Sequence, residues 1–231
     1  MKLTGEEAGM LAGAHGEVLQ LAMRHQFAVG TFFGAADFVP VTQAHVMADT
    51  ESLGEAGVGW LEKLAASEGG HRRVRIPTIT DPRGTDFSKA KQLGQEDWML
   101  KLEQRAIDAF VKLGVAMTDT CINYRTVLAA TRGEHVAFGD TGVVIYSNSV
   151  NGARSNYEGG PSAISAGLTG RTPRYGYHLD EQRQATLRIR VEWTPCTLNE
   201  LGRAGGCGRT HRRQLQPGSC AGGAGALAHL R

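Results

Sequence analysis

The sequence has almost no net charge. Its 25 Lys and Arg stand against 23 Asp and Glu, a formal +2. Such a balance offers no basic face for nucleic acid or for an anionic membrane. Long apolar runs are also missing, and none reaches the roughly eighteen residues of a spanning helix. The N-terminus, MKLTGEEAGML, places Glu6 and Glu7 where a signal peptide has its apolar core. These absences read as a cytoplasmic chain. Cysteine is scarce, at four residues: Cys121, Cys196, Cys207 and Cys220. In such a compartment they suggest free thiols or metal ligands before disulfides, and the spacings of the last three match no compact zinc pattern. What is present is 231 residues, 41% of them hydrophobic. That is enough for one sizeable α/β domain or a piece of a larger one.

Thr4 with Glu7 has the form of a capping box. The apolar residues Met10, Leu11, Ala14, Val18, Leu21 and Ala22 follow at helical period, as one scaffold helix. A loop from Phe32 leads to a short strand ending near Pro40. His45 stands between a strand-like segment and a helix expected over Ser52–Ala66. A lone histidine of this kind is ordinarily a structural hydrogen-bonder. RVRIPTI, from Arg73 to Ile79, alternates as a strand and empties into Asp81-Pro82, a common turn opener. Gln95–Leu113 is amphipathic, and Gly114 closes it as a left-handed cap. Glu134 and His135 are adjacent, so they point different ways and read as structural. Arg171 is suited either to clamp a carboxylate or to pair with Asp180 or Glu181. Ala185–Trp193 alternates as a half-exposed strand.

The stretch VVIYSNSVNGARSNYEGGP, from Val143 to Pro161, organises the rest. Val143–Tyr146 reads as a buried strand. It feeds a loop crowded with Asn148, Ser149, Asn151, Arg154, Ser155, Asn156 and Glu158, and SAISAGL then starts a helix. A polar, glycine-punctuated loop between strand and helix is a usual place for a ligand in an α/β protein. Arg154 adds a planar fork suited to carboxylate or phosphate. A plain polar connection is the alternative.

NSVNGARSNYEGGPSAISAGLTGRTPRYGYHLDE resembles the aconitase X family, whose large-subunit domain carries N-S-V-x-G-A-R-x-N-x-E-G-G-P and then T-G-R-x-P-x-Y-G-x-H-L. The resemblance covers roughly residues 1–200. It implies the N-terminal part of an aconitase-like large domain, α/β, with a sheet flanked by helices. The implied activity is a hydro-lyase acting on a small hydroxy acid, with iron or an iron–sulfur cluster as cofactor and a separate small swivelling subunit as partner. It makes His45 a catalytic candidate. It makes Ala48, Asp49, Thr50, Asp81, Pro82, Asn148, Ser149, Arg154, Asn156 and Glu158 candidates for binding substrate. The family segment P-T-C-T-C-T-P-Y supplies a cysteine ligand. Here Cys121 remains as the implied metal ligand, Asp119 stands where the first cysteine would be, and Asn123 replaces the proline. Asp119 is a further candidate ligand. Members that use phosphomevalonate have Gly-Val-Ser where this chain has Ala48, Asp49 and Thr50, and Asn-Pro at Asp81-Pro82. Both changes add negative charge, which repels phosphate and suits a zwitterion such as cis-3-hydroxy-L-proline.

From Leu201 the composition changes. Residues 201–231 hold eight Gly and five Arg, with no acidic residue and no Val, Ile, Phe, Tyr or Trp. Such a segment cannot bury a core, and it is expected to be disordered or a product of a shifted frame. In GC-rich codons, Leu201 onward read one base later gives Trp-Gly-Ala-Leu-Gly-Ala-Val-Val-Gly-Arg-Ile, which looks like the family. Sequencing the gene checks this, and a different codon set over Arg203 to Gly208 excludes it. On that reading residues 1–200 are the domain and the cluster's other cysteines lie in a missing half. A truncated, inactive fragment that at most binds a ligand or partner is then the alternative function. A small regulatory module is a third.

Overall fold

Thr4 starts the first helix as the sequence suggests. Its hydroxyl accepts the Glu7 amide and the Glu7 carboxylate accepts the Thr4 amide, a reciprocal cap on α1, Gly5–Ala12. The expected single helix is in fact two, because Gly13 turns left-handed at φ 88° before α2, Glu17–Phe32, begins. The computed structural model describes residues 1–70, 72–185, 194, 196–200 and 202. The chain forms two compact units, Met1–Gln182 and Arg183–Arg231. In the second, the Glu200 carboxylate accepts the Cys196 and Thr197 amides. The strand expected over Ala185–Trp193, and the tail with Cys207 and Cys220, lie outside the described residues apart from Ala185 and Gly202.

In the first unit β1, Phe38–Pro40, is followed by β2, Ala44–Val46, and by α3, Thr50–Ala66. Then come β3, Thr78–Thr80, α4, Asp97–Leu113, and a short turn of helix, α5, Asn123–Thr126. Next are β4, Ala137–Phe138, α6, Thr141–Tyr146, α7, Gly160–Thr169, and β5, Arg171–Pro173. Strands β3, β2 and β4 form one parallel sheet in that order. Parallel bridges Ile79–Ala116 and Phe138–Tyr157 extend it by one position on each side. β1 and β5 pair separately and antiparallel.

The core lies among the helices. Val18, Leu19, Ala22 and Met23 of α2, Val58, Leu61 and Leu64 of α3, Leu102, Ala106 and Phe110 of α4, and Ile164 and Leu168 of α7 form one buried cluster. Every residue of α7 but Pro161 is buried, as expected of a helix built of small and apolar residues. At about 25 cal/mol per Å2 of apolar surface, this cluster is the main stabilising term.

Two expected strands are corrected. Val143–Tyr146 is helix, not strand. The Asp140 carboxylate accepts the Gly142 and Val143 amides and so starts α6. Val143, Val144 and Ser147 are buried while Ile145 is 49% exposed, a helical spacing. A wide-turned segment, Ser147–Asn151, continues α6 with π geometry. Of RVRIPTI only Thr78 and Ile79 are strand, the start of β3. The Val74 and Arg75 amides instead bond the carbonyls of Leu113 and Gly167, near the ends of α4 and α7.

Candidate active site at the carboxyl rim of the sheet

Because the sheet is parallel, all its segments deliver their next residues to the same edge. β2 runs into Met47, Ala48 and Asp49, β3 into Asp81, and β4 into Gly139 and Asp140. The flanking segments lead to Cys121 and Glu158. The carboxyl edge of a parallel sheet is where α/β folds place ligands.

Asp81 is the centre of this rim. It is buried, and its Oδ1 accepts the Ala48 amide at 2.6 Å. Burial, with repulsion from Asp49 and Asp140, pushes its carboxyl up to about 7 against the pull of the Ala48 bond. Asp49 caps α3 by accepting the Ser52 amide at 2.7 Å. Thr50 turns inward and donates to the buried Glu103 carboxylate at 3.0 Å. Pro82 is exposed. Cys121 is also exposed, and partial burial with the charges of Asp140 and Asp81 raises its thiol. His45 lies in mid-strand, fully buried. Its Nε2 meets the Thr120 carbonyl at 2.8 Å, so Nε2 carries the hydrogen and Nδ1 is left as a buried acceptor with no partner among the described residues. Burial lowers its pKa and keeps it neutral. Two residues join this rim that sequence reasoning did not select. Asp140 acts electrostatically on His45, Asp81, Cys121 and Tyr157. The Tyr157 hydroxyl, raised by burial and then by Asp140, Asp49 and Asp81, donates to Met47 Sδ. An Asp at a helix N-cap was the available signal for Asp140, but it was hidden by reading the next residues as strand.

The polar motif behaves differently, because most of its groups are engaged within the fold. Asn148 Nδ2 donates to the Val144 and Ser155 carbonyls at 2.9 and 2.8 Å, and Ser149 donates to Ile145 at 2.6 Å. Arg154 donates to the His178 carbonyl at 3.2 Å and pairs with Asp180. Asn156 bridges the Tyr175 carbonyl and the Tyr177 amide. Glu158 is 1% exposed and accepts the Thr172 hydroxyl at 2.9 Å. Arg171 pairs with Glu6 and Glu7 rather than with Asp180 or Glu181. Glu134 is structural as read, accepting from Thr42, Gln43 and Thr131. The rim therefore gathers His45, Ala48, Asp49, Asp81 and Cys121. Asn148, Ser149, Arg154, Asn156 and Glu158 hold neighbouring backbone and side chains in place.

The model of the family described as "Aconitase X first domain" matches residues 1–181. The chain belongs to the aconitase X family. Its fold matches the crystal structure of aconitase X from Thermococcus kodakaraensis in the holo form, with a TM-score of 0.78 at 32% identity over 89% of this chain and 50% of that one. The phosphomevalonate dehydratase large subunit of Methanothermobacter thermautotrophicus is 37% identical over 187 residues, 80% of this chain and 46% of the relative. The cis-3-hydroxy-L-proline dehydratase of Pseudomonas aeruginosa is 32% identical over 191 residues, 83% of this chain and 32% of the relative. This aconitase X chain thus spans about half the length of the phosphomevalonate dehydratase subunits it matches, and a third of the hydroxyproline enzyme.

The iron centre expected from the family resemblance can be compared with this rim. Among the described residues no three His, Cys, Asp or Glu side chains are grouped as metal donors. Cys121 supplies one thiol, and burial, then the charges of Asp140 and Asp81, raises it, which disfavours the thiolate a metal binds. The rim alone does not fit a cluster. No described helix is long and apolar enough to cross a membrane.

Proposed function

We propose that this chain is the rim-bearing half of an aconitase X hydro-lyase that removes water from a small hydroxy acid bearing an ammonium group, cis-3-hydroxy-L-proline being the first candidate. The observation that carries this is the meeting of Asp49, Asp81 and Asp140 at one sheet edge, where each of the other two raises Asp81. An ammonium placed there neutralises the mutual repulsion, whereas a phosphate adds to it. The Tyr157 hydroxyl, at the same edge, is suited to hold a substrate carboxylate or hydroxyl. In this reading Asp81 orients the amine, and His45, neutral and buried, holds the Cys121 turn through Thr120. An iron centre and the catalytic base require donors beyond these residues, from the remaining half of the domain and a small swivelling subunit.

The 37% identity to a phosphomevalonate dehydratase subunit favours a second reading, the phosphorylated substrate. An inactive fragment is the third. The test is to purify the full chain anaerobically with the separately supplied second half and small subunit, measure iron, and follow dehydration of each substrate. Turnover of the hydroxyproline, abolished in Asp81→Asn, is expected. Turnover of phosphomevalonate instead overturns the substrate, and no iron with no turnover supports the fragment reading.

A further inference from the structure

We propose that Arg83 and Asp119 form a latch that fixes the turn presenting Cys121 against the loop presenting Asp81, making both positioning residues; the role in catalysis rests on the reading above. Asp119 is a non-glycine residue with positive φ, 49°. Such a conformation costs energy and persists where its surroundings over-determine it, although Asp tolerates it better than most. The surroundings here do so. One carboxylate oxygen of Asp119 accepts from Arg83 Nη2 and the other from Thr80 Oγ1 at 3.1 Å. The Asp119 amide donates back to Thr80 Oγ1 at 3.3 Å. On either side, Thr118 Oγ1 and the Thr120 amide both donate to the Thr80 carbonyl, at 2.9 and 3.2 Å. His45 Nε2 holds the Thr120 carbonyl from β2.

Arg83 lies two residues after Asp81, and Asp119 two residues before Cys121. The ion pair therefore joins the two loops whose tips form the rim. Its side chains are only 24% and 35% exposed, so water screens it less than an open surface pair. With both carboxylate oxygens engaged, Asp119 serves as a strut and not as the further metal ligand that its place in the sequence suggests.

The test is hydrogen–deuterium exchange on the full chain without substrate. Arg83→Ala and Asp119→Ala each raise exchange of the Thr120 amide about tenfold. The double variant exchanges no faster than the faster single, because each change opens the same latch. Arg83→Lys restores most of the protection. Arg105→Ala, which removes the exposed pairs with Glu55 and Glu62, leaves the Thr120 amide unchanged. Unchanged exchange in both alanine variants, an additive double variant, or equal loosening of every core peptide overturns the latch. Exchange is read without turnover, so a latched chain that dehydrates nothing overturns only the proposed function.

Discussion

Glu158→Gln makes the chain more stable at pH 8 by on the order of 3 kcal/mol and leaves it nearly unchanged at pH 4.5. Glu158 is buried behind β5, with the Thr172 hydroxyl donating to it. Burial raises its carboxyl from the ordinary 4.5 to about 7. The folded state therefore holds this proton more tightly than the unfolded chain. The stability it contributes is fully present below about pH 4.5 and is lost as pH rises through about 7. Above that, the fold must carry a buried charge with one hydroxyl for company. Glutamine keeps an acceptor for Thr172 and cannot ionise. Asp81 shifts the same way, also to about 7, so a residual slope survives in the single variant. Urea unfolding at pH 5, 6, 7 and 8 measures both. A Gln variant less stable than the parent at pH 8, with an undiminished slope, would show that the charge is compensated inside the fold.

That burial explains what the sequence concealed. Elements with a local signature were legible: the Thr4–Glu7 box, the amphipathic α4 closed by Gly114 at φ 80°, and the small-residue α7. The family was legible too, because its motif is contiguous. Three-residue buried strands carry no periodicity, so RVRIPTI overstated β3. Four apolar residues at 143–146 fit strand and helix equally, and only the Asp140 cap decides for helix. The candidate site was legible where residues follow strands β2 and β3. The motif's polar groups invited a ligand reading because sequence shows donors and acceptors but not their partners. Asn148, Asn156 and Glu158 satisfy backbone and side chains that are distant in sequence or hidden by the turn. Asp140 escaped because its importance comes from three parallel segments ending together, a long-range fact.

The same convergence makes Gly139→Ala the most damaging small substitution at the rim, with an expected loss of about 3 kcal/mol. Gly139 directly follows β4. A Cβ there would lie 2.8 Å from the Glu158 carbonyl, 2.9 Å from the His45 carbonyl and 3.1 Å from the Met47 amide nitrogen. All three are backbone atoms of the segments on either side, so no flexible side chain can yield. The methyl must wedge apart β2 and the 157–158 segment, and Asp140, the next residue, moves with it. Gly59→Ala is the contrast. Within α3 its Cβ meets nothing within 4 Å, and alanine in a helix gains up to about 1 kcal/mol over glycine. Thermal unfolding of the two variants at one pH should move in opposite directions. If Gly139→Ala melts with the parent, the rim opens without cost, and the closeness of Asp49, Asp81 and Asp140 would not be fixed by the sheet. If it melts early while Gly59→Ala melts late, the packing of backbone on backbone at Gly139 is what holds the three carboxylates together.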